Sequence, residues 1–165
     1  MPMVPFCRRF EELAFAEMRS LTFRGEPSLP DGTYGFLEFY CNETECDCRR
    51  VILHVVRADT GMMAWAAINF GWEKPEFYER WSPRDPEARA MARPFLDPLN
   101  PQSPYSRALL AVFSEMIAAD PAYVERLRRH YEMFKEALTR TKAGGGRRAR
   151  TQRRGAARSH DRFVQ

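Results

Sequence analysis

The sequence GTYGFLEFYCNETECDCRRVILHVVR, residues 32–57, places two candidate β-strands on either side of a short loop that carries cysteines. Residues 33–41 alternate in the manner of a strand, whose side chains point to opposite faces in turn. Residues 49–57 are apolar through most of their length. Because the loop between them is short, the two strands are predicted to pair antiparallel. On the first strand, alternation assigns one face to Leu37, Phe39 and Cys41 and the other to Phe36, Glu38 and Tyr40.

Outside this stretch, the chain continues with one more strand and several helices. A turn at residues 59–61 leads to a third strand over residues 62–70, which extends the pair into an antiparallel meander. Helical spacing of apolar residues predicts a helix over residues 6–20. Further helices are predicted over 75–81, 86–93, 103–119 and 121–141. These elements indicate an α+β fold: a small antiparallel sheet of three or more strands with a cysteine knuckle, packed by N-terminal and C-terminal helices.

The loop between the first two strands carries three of the four cysteines, Cys41, Cys46 and Cys48. Cys46 and Cys48 are one residue apart, too close to form a disulfide with each other without severe strain. Thiolates are soft ligands, and three of them on one loop indicate a metal site, with zinc as the default ion. The Cys-x-Cys pair also suits Cu(I) or another thiophilic ion. The alternative is that these residues are small buried hydrophobic side chains.

Zinc usually takes four ligands, so the chain should supply one more. The candidates are His130, on the last predicted helix, and Cys7, on the first. His54 ranks below both, since six residues of extended strand place it about 20 Å from Cys48. A water molecule or a substrate is another possible fourth ligand. Arg49 and Arg50 follow the cysteines directly and are predicted to offset the negative charge of the thiolates.

The composition predicts a single domain over residues 1–142 and a disordered arginine-rich tail over residues 143–165. The tail begins at a run of three glycines and contains seven arginines against one aspartate, a net charge of +6. Since the whole chain carries +4, residues 1–142 carry −2. The basic character therefore belongs to the tail, which is able to bind nucleic acid or an acidic partner through salt-sensitive contacts. The alternative is a solvated extension without a partner.

Several classes of function are not favoured. No segment approaches the roughly 20 apolar residues that span a membrane. The first residues meet charges before any apolar run, so we expect no secretory signal and a cytoplasmic location with reduced thiols. The chain has neither a nucleophile elbow, nor a phosphate-binding glycine loop, nor a His-Glu-x-x-His motif, so a non-enzymatic role is favoured. Trp72 and Glu73 are possible pocket residues; the alternative is an aromatic corner of the core in which Glu73 caps the following helix.

Five segments resemble a family of uncharacterised bacterial proteins, over about residues 30–136. The segments are Gly32–Cys41, Cys46–Val51, Ile68–Glu73, Phe77–Trp81 and His130–Lys135, and Cys-Asp-Cys-Arg-Arg is the most specific string among them. Some members of that family end in a cysteine-rich zinc motif like the one that ends the bacterial preprotein translocase ATPase. This chain has no cysteine in residues 143–165, and arginines stand there instead. The resemblance implies a bacterial, cytoplasmic, metal-binding protein and implies no reaction.

These observations lead to three hypotheses about function. The first is a zinc-stabilised binding or adaptor module for a protein partner that the sequence does not identify. The second is a sensor of thiophilic metal or oxidant, in which the cysteine cluster is the active part. The third is a nucleic-acid-associated accessory protein that acts through the basic tail.

Overall fold

A computed structural model describes residues 2–156, and for residues 142–156 it describes the backbone only. The fold is α+β, with a six-stranded antiparallel sheet, four α-helices and two 3₁₀ helices. The strands are β1 Met3–Pro5, β2 Arg19–Phe23, β3 Gly32–Cys41, β4 Arg50–Arg57, β5 Ala64–Gly71 and β6 Phe95–Leu96. The α-helices are α1 Glu11–Ala16, α2 Pro75–Trp81, α3 Ser106–Ala119 and α4 Pro121–Ala156, and the 3₁₀ helices are Phe6–Arg8 and Ala88–Ala92.

The centre of the sheet is the predicted meander, in which β3 pairs antiparallel with β4 and β4 with β5. The register places Phe39 opposite Ile52 and Val51 opposite Phe70. On the far side of β3, β1 pairs with its C-terminal part and β2 with its N-terminal part. The short β6 pairs with β5 at the other edge. The cysteine knuckle, which we define as residues 41–48, therefore lies at the corner where β3 turns into β4.

The alternation predicted for β3 is confirmed from Phe36 to Tyr40, whereas Cys41, predicted on the face of Leu37 and Phe39, is completely buried. Phe36, Glu38 and Tyr40 are buried, whereas Leu37 and Phe39 on the opposite face are only partly buried. The buried face of β3 lies under the C-terminal helices. Phe36 stacks on Phe113 of α3 with 6.1 Å between ring centroids, and Tyr40 packs at 5.8 Å from Phe134 of α4.

The predicted apolar stripe of the last helix is also confirmed, and it forms much of the core. Each large apolar side chain removed from water contributes about 1.5–3 kcal/mol to folding, so this stripe holds α4 firmly on the sheet. Its buried members are Tyr123, Leu127, Tyr131, Phe134 and Leu138. Within residues 2–156 we find no helix that combines the length and the apolar character needed to cross a membrane.

The prediction of one helix over residues 6–20 is wrong. That segment forms the 3₁₀ helix and the six-residue α1, and from Arg19 it continues as β2. The edge of β3 explains the difference, because Ser20, Leu21 and Thr22 pair there with residues 33–35 and satisfy its backbone groups. Such tertiary pairing overrides local helix propensity.

The last helix is longer than expected. Its backbone continues through the three glycines to Ala156, whereas the sequence predicts an end near Thr141. Residues 143–156 of the predicted tail thus have a helical backbone, and residues 157–165 lie outside the described part of the chain. A disordered tail over residues 143–165 is therefore not confirmed, and nucleic-acid binding through the tail stays a prediction.

Gly71, the last residue of β5, is a position where we expect a side chain not to be tolerated. A Cβ there would lie 2.1 Å from Tyr78 Oη and 2.7 Å from the Met91 carbonyl oxygen. Overpacking of this kind costs about 1–3 kcal/mol, so Gly71→Ala should lower the free energy of unfolding in urea by about 2–3 kcal/mol.

Gly35→Ala is the matched control for this prediction. It too is a glycine within the central sheet, but the nearest atoms to its added Cβ would be the flexible end of Met18, at 3.2 Å from Sδ, and Val56 Cγ2 at an ordinary contact distance of 3.9 Å. We expect a loss below about 1 kcal/mol there, because a methionine side chain adjusts readily. Equal losses in the two variants would contradict the proposed contact between Gly71 and Tyr78.

Candidate metal centre

The structure brings Cys41, Cys46 and Cys48 into one compact group. Their Sγ atoms all lie within 4.8 Å of one another. Cys41 and Cys48 are completely buried, and Cys46 is partly exposed. Among the residues that the structure describes, no other set of three or more histidine, cysteine or carboxylate groups comes together in this way. The three cysteines are thus close enough to bind one metal ion.

The backbone of the knuckle turns tightly enough to bring the sulfurs together. Cys46 N–H donates to the Glu43 carbonyl at 3.2 Å, and Glu43 N–H points at the Cys41 sulfur at 3.5 Å. Arg49 has φ of +43°, a left-handed conformation that is uncommon for a residue with a side chain. The chain enters β4 directly after this residue. The two ends of the knuckle are therefore fixed by the sheet. The turn between them brings Cys46 close to Cys41 and Cys48.

The three thiols differ in how readily they ionise. A hydrogen bond from the Cys48 thiol lowers the pKa of Cys41 to about 6, against the opposing effect of burial. The same hydrogen bond raises the pKa of Cys48, and burial adds to it. Burial raises the pKa of Cys46, as does the negative charge of Cys41. Cys41 is thus the thiol that ionises most readily, and a metal ion bound by all three sulfurs would displace the protons of Cys46 and Cys48.

Positive charge lies on two sides of the cluster. The Lys135 ammonium of α4 favours the ionised form of Cys41 and Cys46, and the Arg50 guanidinium favours that of Cys48. Arg49 is placed differently, because its guanidinium binds the Asp47 carboxylate at 2.9 and 3.0 Å and the Glu73 carboxylate at 3.3 Å. Both arginines were predicted to offset the charge of the thiolates. Arg50 does stabilise the ionised form of a cysteine, Cys48, whereas Arg49 forms ion pairs with two carboxylates.

Neither proposed fourth ligand joins the group. Both ring nitrogens of His130 are occupied, Nδ1 by Glu38 at 2.7 Å and Nε2 by Glu17 at 3.0 Å, and the Phe6 ring stacks on the imidazole at 4.4 Å. Cys7 lies in the first 3₁₀ helix and lines a separate apolar cavity of about 100 Å³ between α1 and β3. The sequence alone does not show that Glu38 and Glu17, both distant from His130 along the chain, form hydrogen bonds with its two ring nitrogens.

His54 is also distant from the cluster in the fold. It lies on β4 opposite Leu37, and its ring packs on Phe39 with 4.1 Å between centroids. Burial lowers its pKa, although a hydrogen bond with Asn100 opposes that shift. Its low rank as a ligand agrees with this position.

The corner at Trp72 and Glu73 fastens the knuckle to the rest of the domain. Trp72 packs edge-on against Tyr131 at 5.3 Å, and the Glu73 carboxylate binds Arg49. The hydroxyl of Tyr78 donates to the Arg49 carbonyl at 2.7 Å and accepts from Glu73 N–H at 3.2 Å. Glu73 does not cap α2, whose N-cap position is Lys74 with no side-chain hydrogen bond.

Two residues of α4 that the sequence analysis did not select as site residues also hold the knuckle. The Tyr131 hydroxyl accepts a long hydrogen bond, 3.4 Å, from Arg49 N–H, and the Lys135 ammonium donates to the Glu43 carbonyl. Their spacing of four residues places them on one helical face. From the sequence, this spacing shows that the two side chains share a face of the helix. It does not show which loop that face contacts.

Comparisons with protein-family models, with curated proteins and with solved structures found no match to this chain. The resemblance to a family of uncharacterised bacterial proteins therefore remains a prediction.

Proposed function

We propose that Cys41, Cys46 and Cys48 bind one zinc ion and that the protein is a zinc-stabilised binding module. The observation that carries this proposal is the approach of the three sulfurs to within 4.8 Å of one another. Tetrahedral zinc with Zn–S bonds of about 2.3 Å needs sulfurs about 3.8 Å apart. Small side-chain rotations suffice to bring the three sulfurs to that spacing.

The position of the knuckle supports a structural role for the ion. Its neighbour Arg49 is tied to α2 through Tyr78 and to α4 through Tyr131. An ion that joins the end of β3 to the start of β4 would hold this corner in the conformation that both helices contact. Metal binding to the folded state alone adds its binding free energy to stability.

A groove beside the cluster is the surface on which we place the binding function. It has a volume of about 500 Å³ and lies between the knuckle and α4. Cys46 and Tyr131 contribute to its lining, together with Lys135 and the carboxylates of Glu45 and Glu132. The metal would therefore shape a polar surface rather than an enclosed chamber, which suits contact with another molecule.

Elemental analysis of protein purified without chelator, paired with a count of reactive thiols, tests the metal. We expect one zinc per chain and protection of three thiols from alkylation under native conditions. Cys7 is the internal control, because it is outside the cluster and partly exposed. It should react in the native protein, and all four cysteines should react after removal of the metal. No metal, with Cys46 as reactive as Cys7, would refute the proposal.

A further inference from the structure

The cysteine cluster has a closed side and an open side. Cys41 and Cys48, at the two ends of the knuckle, are fully buried. Cys46 is partly exposed and lines the groove of about 500 Å³. The groove has room for a small molecule or for a side chain of another protein. Whatever approaches the three sulfurs from solvent therefore meets them at Cys46.

The described chain supplies three donors and no fourth. No carboxylate, imidazole or further thiol within residues 2–156 joins the three sulfurs. His130 is held by Glu38 and Glu17, and the Asp47 carboxylate is held by Arg49. Since zinc rarely stops at three protein ligands without adding an external one, the fourth donor has to come from elsewhere.

Two cations close to the sulfurs favour an anion as that donor, although four carboxylates, those of Glu45, Asp47, Glu132 and Glu136, also line the groove. Three thiolates and Zn²⁺ together carry −1, while Lys135 and Arg50 add two positive charges close to the sulfurs. Lys135 stands on the wall of the groove and is anchored by the Glu43 carbonyl. A fourth thiolate would bring the metal centre to −2 and would be balanced by these two cations.

We infer that the site keeps one coordination position open to the groove between the knuckle and α4, and that this position takes a thiolate from outside the chain. The inference rests on the proposed function, since it requires the three-cysteine metal site. It assigns to that site a ligand class, an anionic sulfur donor, and a route of entry past Cys46. Cys41 and Cys48 then act as buried anchors, and Lys135 provides the charge that attracts the incoming thiolate.

Cobalt(II) substitution tests this inference with an optical readout. Tetrahedral Co²⁺ absorbs strongly in the visible, and its sulfur-to-metal band in the near ultraviolet grows with the number of bound thiolates. We expect the Co²⁺ protein to show three thiolates, and addition of 2-mercaptoethanol should raise that band by about one third, as three thiolates become four. A visible spectrum that stays tetrahedral with an unchanged band on addition of the thiol would overturn the inference.

Two variants exclude donors from the chain itself. Cys7→Ser removes the one cysteine outside the cluster, and His160→Ala removes a histidine that lies outside the described residues. We expect both proteins to bind Co²⁺ and to respond to the thiol as the wild type does. A fourth sulfur or nitrogen signal that disappears in either variant would show an internal ligand and overturn the inference.

The role of Lys135 is tested by Lys135→Gln, with Glu132→Gln as the control from the same groove. Lys135→Gln should still bind Co²⁺, but the thiol concentration that gives half of the full rise in the sulfur-to-metal band should increase several-fold. In Glu132→Gln, that concentration should be unchanged or lower than in the wild type. The reverse order would contradict the assigned role of Lys135.

Two further measurements identify where the external thiolate comes from, and the cobalt result shows which of the two proposals a negative outcome refutes. A cysteine-containing peptide in place of 2-mercaptoethanol reports whether a protein side chain fits the groove, and light scattering reports whether a second copy supplies the sulfur. Failure to bind Co²⁺ at all would refute the proposed function. Binding without a response to either thiol would refute only the open position.

Discussion

Replacement of Cys48 by serine is expected to abolish zinc retention and to lower the thermal midpoint of unfolding by roughly 10 °C. Cys48 is fully buried two residues before β4, so its loss removes a ligand and leaves a hydroxyl without the partner that a metal provides. The combined loss should be about 3 kcal/mol, which for a chain of this size corresponds to roughly 6–12 °C. Calorimetry and metal analysis of the same preparation provide the measurement.

Cys7→Ser is the matched control for this experiment. The residue lies outside the cluster, in the first 3₁₀ helix, and is only partly buried. We expect it to retain one zinc per chain and to change stability by less than about 1 kcal/mol, as is usual for a substitution away from a special site. If Cys48→Ser kept its zinc and its thermal midpoint, the cluster would not be the metal site.

His130→Leu is expected to destabilise the protein by about 3–5 kcal/mol, because removal of one partner from a buried ionic network leaves the other uncompensated. Both ring nitrogens lie within hydrogen-bond distance of carboxylate oxygens, Nδ1 of Glu38 and Nε2 of Glu17. Glu38 is buried and also accepts a hydrogen bond from the Tyr40 hydroxyl at 2.9 Å. With His130 gone, the buried Glu38 carboxyl group would lose the imidazole as a partner, and leucine offers no polar group in its place.

A double-mutant cycle in urea measures this network. Glu38→Gln/His130→Leu should cost less than the sum of the two single variants, since the two side chains are in contact and either single variant already removes their interaction. Arg129→Ala serves as the control, because it removes only the exposed arginine that binds Glu17, a pair worth less than about 1 kcal/mol. A loss below about 1 kcal/mol in His130→Leu would show that the histidine is dispensable.

The elements that the sequence predicted well are those whose pattern is local. The alternation of residues 33–41 and the apolar run of residues 51–56 defined β3 and β4, and the short loop between them fixed their antiparallel pairing. The stripe of α4 repeats at helical spacing and is buried as expected. The three clustered cysteines likewise formed a compact group because both ends of their loop belong to the same strand pair.

What the sequence could not show depends on contacts between distant residues. Residues 19–23 carry no strong strand signal of their own and became β2 because the edge of β3 was available. The partners of His130 are Glu38 and Glu17, 92 and 113 residues away. The sequence spacing of these three residues does not predict that they are in contact. Without knowledge of those contacts, His130 is a reasonable candidate for a metal ligand.

The attachment of the knuckle to α4 has a consequence for the order of biosynthesis. Tyr131 and Lys135, which cover the knuckle, are made about 80 residues after the last of its cysteines. At bacterial and eukaryotic elongation rates of about 5–20 residues per second, that separation lasts about 4–17 s. During this interval the three thiols have no helix above them and are accessible to oxidants and to metal ions alike. An ion captured by the nascent chain would protect the sulfurs until α4 arrives, so the supply of metal during translation would influence how much of the protein reaches its folded form.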